Sequence, residues 1–361
     1  MSEPYDIAVI GAGPGGYVAA LRAGQLGART VLVEKAHLGG TCLNWGCIPS
    51  KALLASSELL HKLRTAGEMG VEIAGGVSAN WTKIQQRKDK IVSTLRGGIK
   101  SLLAARKVAV EAGRATLTGP GRIVVVGPDG ADKPIAARKV ILATGSVPTM
   151  LPGWPTDAVV STSDDALHWK DLPRRLLIVG GGVIGCEFAC IMQPLGVEVT
   201  IVEMLPQLLP NVDGQIAAAL TKIFQKRGIA VLTGVKIQEL SAAGGVATAV
   251  LADGRRMEFD RVLVSVGRRP ATADLGLDSA GIETDRGFIR VDDGMRTRVP
   301  DHYCIGDANG RCLLAHAASG HAAVAVDNAL GADVRFESPV PNCIYTFPEI
   351  ATVGLTAEEA K

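Results

Sequence analysis

The chain has 361 residues, 47% of them hydrophobic and 20% charged, enough apolar material for two or three packed domains and too much for wholesale disorder. Lys and Arg number 38 against 36 Asp and Glu, a formal charge of +2, which gives no electrostatic reason to expect a nucleic-acid or membrane-surface partner. Aromatics make up only 4% while Gly reaches 43 residues, so tight backbone turns are plentiful and the stacking platforms of a single-strand binder are scarce.

No basic stretch followed by an apolar run opens the sequence, and no apolar segment reaches spanning length, so neither a signal peptide nor a membrane helix is expected. Seven Cys are too few for a secreted disulfide framework. The expected setting is the cytoplasm, where a disulfide would be catalytic rather than structural.

The first predicted strand covers residues 5–10. Gly11-Ala-Gly13-Pro-Gly-Gly16 follows, then a small-residue helix over 17–26, a second strand over 30–33, and Glu34. This is a βαβ unit with G-x-G-x-x-G between strand and helix and an acid closing the second strand. Gly11 permits the sharp turn, Gly13 lets the backbone approach a pyrophosphate, and Gly16 lets helix and strand pack closely. The helix N-terminus offers N–H groups to phosphate oxygens, and Glu34 can accept from a ribose diol.

Residues 39–51 read Gly-Gly-Thr-Cys42-Leu-Asn-Trp-Gly-Cys47-Ile-Pro-Ser-Lys51. C-x4-C by itself is ambiguous. Two unrelated core thiols would satisfy it, and a metal site would need two further ligands. A redox disulfide would need a distorted turn, for which Asn44 and Gly46 are suited. Pro49 fits the first turn of a following helix, whose N-terminus would stabilise a thiolate at Cys47. Residues 83–107 predict a charged surface helix region.

A strand from Lys139 ends in Thr144-Gly145 and Pro148. The nucleotide-binding pattern then returns: a strand over 175–179, the turn Gly180-Gly-Gly182-Val-Ile-Gly185, a helix over 187–195, a strand over 197–202, and Glu203. Gly11 to Gly180 and Glu34 to Glu203 are both offset by 169 residues, so turn and acid repeat together. Cys186 and Cys190 lie on the second helix, where a small buried hydrophobe is the default. A strand over 261–266 ends at Gly267, another near 301–306 ends at Asp307, and an apolar small-residue helix runs from about 315 to 330. The division this implies is a split first domain, 1–148 plus 271–337, with a second nucleotide domain, 149–270, inserted between its halves, and a further segment, 338–361.

Residues 39–51, the repeated units, Gly267-Arg-Arg-Pro270, Ile305-Gly-Asp307, Leu314-Ala315-His316 and Ile344-Tyr-Thr-Phe-Pro-Glu-Ile350 together resemble the flavin-dependent pyridine nucleotide-disulfide oxidoreductases of class I, from Tyr5 to the end. Leu43 and Ile48 follow the dihydrolipoamide dehydrogenase branch, where the glutathione and mercuric reductase branches carry Val.

The resemblance implies an α/β fold of two Rossmann-like, three-layer domains, the second inserted in the first. It implies FAD at Gly11, Gly13, Gly16, Glu34, Lys35, Gly40, Thr41, Cys42, Lys51, Gly113, Thr144, Gly145, Asp307 and Ala315. NAD would lie at Gly180, Gly182, Gly185, Glu203, Val235 and Gly267, with no metal. It makes Cys42 and Cys47 a redox-active disulfide, Cys42 meeting the dithiol and Cys47 the flavin, with Lys51 and Glu187 paired near the flavin's reactive nitrogen. The implied substrate is dihydrolipoamide or a lipoyl-bearing protein, oxidised at the expense of NAD. Glu203 independently favours NAD over NADP, since a carboxylate accepts from a free 2′-hydroxyl and repels a 2′-phosphate.

Members of this family end in an interface domain that forms a homodimer and donates a His–Glu base to the partner's site. Here the sequence stops at Lys361, soon after the first strand expected of that domain. The expectation is a C-terminally truncated chain without that base and with a weakened dimer; His316 belongs to the first domain's last helix.

Overall fold

In the computed structural model, which describes residues 3–361, the apolar runs around the first glycine turn form parallel strands Tyr5–Ile10 and Thr30–Glu34, with Ile7 opposite Thr30 and Ile10 opposite Val33. Ile7, Ala8, Val9, Val31 and Leu32 are fully buried, the continuous pattern of a sheet covered on both faces. The parallel sheet runs Ala109–Ala112, Thr30–Glu34, Tyr5–Ile10, the C-terminal half of Asp132–Leu142, and His302–Cys304. Asp132–Leu142 starts earlier than the run expected from Lys139. Its first half pairs antiparallel with Arg122–Val126, which pairs with Arg114–Gly119. Burial along the strand changes accordingly, from alternating to continuous.

The helix expected from Tyr17 begins at Pro14. Gly13 is the extended N-cap and Pro14 supplies a preset φ at the first helical position, so residues that look like breakers are the start signal. The helix buries Gly15, Gly16, Ala19, Ala20 and Ala23. Ala19, Ala20 and Ala23 share an apolar cluster with Ala322, Ala325 and Val326 of helix Ala315–Ala329.

The second sheet is wholly parallel, in the order Ala230–Thr233, Glu198–Glu203, Arg175–Val179, Arg261–Val264, Val160–Thr162. An antiparallel sheet, Ile237–Ala243, Val246–Leu251 and Arg256–Phe259, accompanies it. The helix expected from Glu187 starts at Val183, again behind a glycine N-cap, Gly182. It ends at Met192 before the 3-10 turn Gln193–Leu195, where Pro194 removes a donor. Every residue from 185 to 192 is buried, so this helix has no solvent face.

The chain forms two compact units: one contains the chain up to Asn44, Val92–Val147 and Arg269–Ser338, the other Trp45–Ile91, Pro148–Arg268 and Pro339–Lys361. Residues 45–91, placed in the first domain by the sequence division, thus group with the second sheet. Leu53 and Leu54 of helix Cys47–Arg64 share a cluster with Phe188, Ile191, Ile344 and Ile350. Among the described residues no helix is long and apolar enough to cross a membrane.

Candidate active site

In the first unit two of the three turn glycines are required by the chain's own packing. Gly11 has φ +99°, and a Cβ there would lie 2.4 Å from the Ala143 carbonyl oxygen. A Cβ on Gly16 would lie 1.8 Å from the Gly11 oxygen. Gly13 is different: its φ is −67°, and a Cβ would meet no described atom within 4 Å. Nothing among the described residues demands glycine at this position, whereas a bound pyrophosphate would. Gly40, at φ +54°, has its Cβ direction 2.6 Å from the Gly13 Cα, and Gly39 N–H donates to Ala12 O at 2.8 Å. Residues 39–41 are thereby laid on the same turn.

Glu34 secures the far end. One carboxylate oxygen accepts from Ala12 N–H at 2.7 Å and the other from Ala36 N–H at 2.8 Å, leaving lone pairs for a ribose diol. Gly113 N–H donates to the Glu34 carbonyl at 2.9 Å; Lys35 is exposed. Thr144 Oγ1 is buried with no hydrogen-bond partner among the described residues, an orphaned polar atom one residue before Gly145 (φ +69°). Asp307 accepts from Ser146 Oγ at 2.5 Å. Ala315 opens helix Ala315–Ala329, with His316 exposed in its first turn. The open space at Gly13 and the orphaned Thr144 hydroxyl fit a dinucleotide such as FAD.

The second unit repeats the plan. Gly180 has φ +104° and its Cβ would lie 2.5 Å from Ser265 O; at Gly185 it would lie 2.1 Å from Gly180 O. Gly182, at φ −73°, has nothing within 4 Å among the described atoms. Glu203 is only 6% exposed; its oxygens accept from Gly181 N–H at 2.6 Å and Leu205 N–H at 2.8 Å. Val235 N–H donates to the Glu203 carbonyl at 3.1 Å, and Thr149 N–H to the Gly267 carbonyl at 3.0 Å. These residues fit a second dinucleotide, NAD.

Cys42 lies in the short helix Gly40–Trp45, and Cys47 is the first residue of the helix Cys47–Arg64 behind Gly46. Both are half-buried. The helix N-terminus favours a thiolate at Cys47, and Lys51 follows at i+4 on the same face. Asn44 is buried and fully satisfied: its amide donates to Leu38 O and Gly40 O at 3.0 and 2.8 Å, and its oxygen accepts from Arg96 at 3.0 and 2.7 Å. Tyr17, on the first glycine helix, has its hydroxyl pKa raised by burial and then by the Cys42 charge. Burial raises the thiol pKa at Cys186, Cys304 and Cys312, and pushes Cys190 up to about 11, so these four are held as neutral thiols.

Lys51 Nζ donates to both oxygens of Glu187, at 2.8 and 2.7 Å. Glu187 is 5% exposed, and such a carboxylate is tolerable only when paired and hydrogen-bonded. Its third donor comes from Tyr345 N–H at 3.1 Å. Tyr345, Asn44, Arg96 and Tyr17 were not expected as site residues; Tyr345 stands in a motif that carried the resemblance, but its contact gives no local sequence signal.

Residues 5–322 match the family model described as pyridine nucleotide-disulphide oxidoreductase. The dihydrolipoyl dehydrogenase of Chlorobaculum tepidum is 41% identical over 100% of this chain and 78% of its own length; that of Bacillus subtilis is 41% identical over 100% of this chain and 79% of its own. The crystal structure of LpdA from Mycobacterium tuberculosis superposes with a TM-score of 0.90 at 31% identity, covering 98% of this chain and 78% of that one. The HOCl-induced flavoprotein disulfide reductase RclA from Escherichia coli, solved as a Cu(II) complex, gives a TM-score of 0.88 at 28% identity over 99% of this chain and 79% of that one.

Proposed function

Since this chain belongs to the pyridine nucleotide-disulphide oxidoreductase family, we propose that it oxidises a dihydrolipoyl dithiol with NAD as the final acceptor, holding FAD at the first glycine turn and NAD at the second. The observation that carries the reading is the pair of open glycines, Gly13 and Gly182, in a chain that also holds C-x4-C and an ion pair at Lys51 and Glu187. The relatives named dihydrolipoyl dehydrogenase support the substrate.

In this reading Cys42 and Cys47 form a disulfide in the oxidised protein. A substrate thiolate attacks the Cys42 sulfur, the Cys42–Cys47 bond breaks, and Cys47 leaves as a thiolate stabilised by the N-terminus of its helix. The second substrate thiol then displaces Cys42, releasing a cyclic disulfide and leaving two reduced cysteines and two protons. FAD, when bound, supplies the two-electron carrier between the dithiol and NAD. Lys51, its ammonium held by Glu187, sets a fixed positive charge one turn beyond Cys47. Glu203 orients the ribose of NAD and repels a 2′-phosphate.

The reading is tested by NADH formation from dihydrolipoamide in the FAD-loaded protein. Dihydrolipoamide with NAD should be favoured over the NADP pair, and Glu203→Ala should shrink that preference by about tenfold or more, equivalent to about 1.4 kcal/mol or more of charge repulsion relieved. The likeness to RclA carries a second reading, a reductase of a different disulfide or of a metal ion. Turnover of glutathione disulfide or a metal ion with no dihydrolipoamide activity would replace the first reading with the second.

A further inference from the structure

Residues 345–347, which turn through a bend after strand Asn342–Ile344, meet helix Val183–Met192 at two points one helical turn apart. Tyr345 N–H donates to Glu187 at 3.1 Å, and Phe347 N–H to the Cys190 sulfur at 3.4 Å. Residues three apart on a helix lie on one side, so Glu187 and Cys190 present their acceptors to the same short segment. Phe347 is clamped further, with Arg227 donating to its carbonyl at 3.2 Å, the guanidinium 5.2 Å from its ring centroid, and His61 stacked at 6.1 Å. Thr346, fully buried, donates to Pro348 O at 2.6 Å. Tyr345 therefore sits on a fixed backbone.

That backbone delivers the Tyr345 ring to Lys51. The Lys51 ammonium lies 4.7 Å from the ring centroid while bonding both Glu187 oxygens. Three contacts thus surround one charge, two carboxylate oxygens and an aromatic face, and the same residue gives its N–H to the carboxylate. The ring needs no hydroxyl for this, because cation–π attraction comes from the ring quadrupole.

We propose that Tyr345 is a positioning residue for the Lys51–Glu187 pair, its N–H fixing the carboxylate and its ring fixing the ammonium. The proposal rests on the reading that this pair serves electron transfer involving bound FAD. It is tested on the FAD-loaded protein with Tyr345→Phe, Tyr345→Leu and Glu187→Gln. The first readout is the rate at which trinitrobenzenesulfonate modifies Lys51, followed by peptide mass spectrometry, with Lys62, paired to Glu58 on the helix surface, as internal reference. The second is the rate of flavin reduction by NADH.

Tyr345→Leu should expose the Lys51 amine to modification about two- to fivefold faster and slow flavin reduction by a similar factor, the scale of a partly exposed cation–π contact. Tyr345→Phe should match the parent in both, and Lys62 should not change. Equal rates at Lys51 in the parent and Tyr345→Leu would overturn the proposal, as would a Phe variant behaving like Leu, or Lys62 accelerating in step with Lys51. Glu187→Gln separates the two failures. If it frees Lys51 but leaves flavin reduction untouched, the pair's proposed role is wrong; if it acts on both while Tyr345→Leu acts on neither, only the positioning role is wrong.

Discussion

The first and second glycine turns place three glycines and an acid alike, yet they leave different groups unsatisfied. Ala12 in the first turn is replaced by Gly181 in the second, where a Cβ would lie 2.5 Å from Leu208 and 3.1 Å from Glu203. The acids differ in the same sense: Glu34 is partly exposed while Glu203 is buried. The hydroxyl near the crossing strand also moves by one position. Gly11 faces Ala143 and Gly180 faces Ser265, which makes Thr144 the counterpart of Val266. Ser265 Oγ turns to Val179 O and Gly180 O at 3.1 and 3.2 Å, whereas Thr144 Oγ1 has no partner among the described residues. The second turn closes its hydrogen bonds within the chain; the first leaves one for a ligand.

The largest effects should separate packing glycines from binding glycines. Gly16→Ala and Gly185→Ala force a Cβ to within about 2 Å of a carbonyl oxygen, and each should cost more than about 3 kcal/mol, the upper range of overpacking. Gly13→Ala and Gly182→Ala, at negative φ and facing open space, should leave thermal unfolding of the cofactor-free chain within about 1 kcal/mol of the parent. Their cost should appear in affinity: Gly13→Ala should weaken FAD, and Gly182→Ala NADH, by about tenfold or more, equivalent to 1.4 kcal/mol. Unchanged titrations would mean that the open space serves no pyrophosphate.

How much of this was readable without coordinates follows from the range of each constraint. A glycine held at positive φ or against a carbonyl five residues away leaves a local mark, and both turns and both closing acids stand in the sequence. Helix starts were misplaced by three or four residues because Gly13-Pro14 and Gly182 read as breakers, although each is the N-cap or first turn of its helix. The Lys51–Glu187 contact joins residues 136 apart and the Tyr345–Glu187 contact residues 158 apart. The first was available only through family resemblance. The second leaves no pattern in spacing or composition, because packing of residues 345–347 on a buried helix creates it. Asn44 and Arg96, 52 apart, are a similar case.

Acid titration should sharpen the contrast, because the two units carry groups shifted in opposite directions. In the first, burial and then the Arg311 charge lower His321 to about 4, while its Nδ1 accepts from Gly306 N–H. Between pH about 6.5 and 4 the unfolded chain binds the proton and the folded one does not, so stability is lost as pH falls through that window. In the second, burial raises Asp164 to about 6 against the opposing Arg268 charge. Here the folded state binds the extra proton, so its stabilisation is present below about pH 4 and is lost as pH rises to 6. Hydrogen exchange read separately in strands Tyr5–Ile10 and Arg175–Val179 should show opposite slopes from these groups. His321→Gln should flatten the first and Asp164→Asn the second, by shifts on the order of 2–4 °C in unfolding temperature for a change of about 1 kcal/mol. Slopes unmoved by either substitution would remove these groups from the pH dependence.

The smallest effect tests the displaced hydroxyl. Ser265→Ala removes a hydrogen bond shared between two carbonyls and should destabilise the cofactor-free chain by about 0.5–1.5 kcal/mol, with little change in NADH affinity. Thr144→Val removes a hydroxyl that the folded chain has desolvated without a partner. Leaving such a group unpaired costs about 1–3 kcal/mol, so the isosteric valine should be neutral or stabilising before FAD is added. After FAD is added the order should reverse, the valine chain binding it about two- to tenfold more weakly, one modest hydrogen bond's worth. The two substitutions are near-mirror tests of one idea: a hydroxyl satisfied by its own chain contributes to folding, and one left unsatisfied contributes to binding. A Thr144→Val chain that is less stable without FAD and unchanged with it would break that idea, since the hydroxyl would then be serving the fold as Ser265 does.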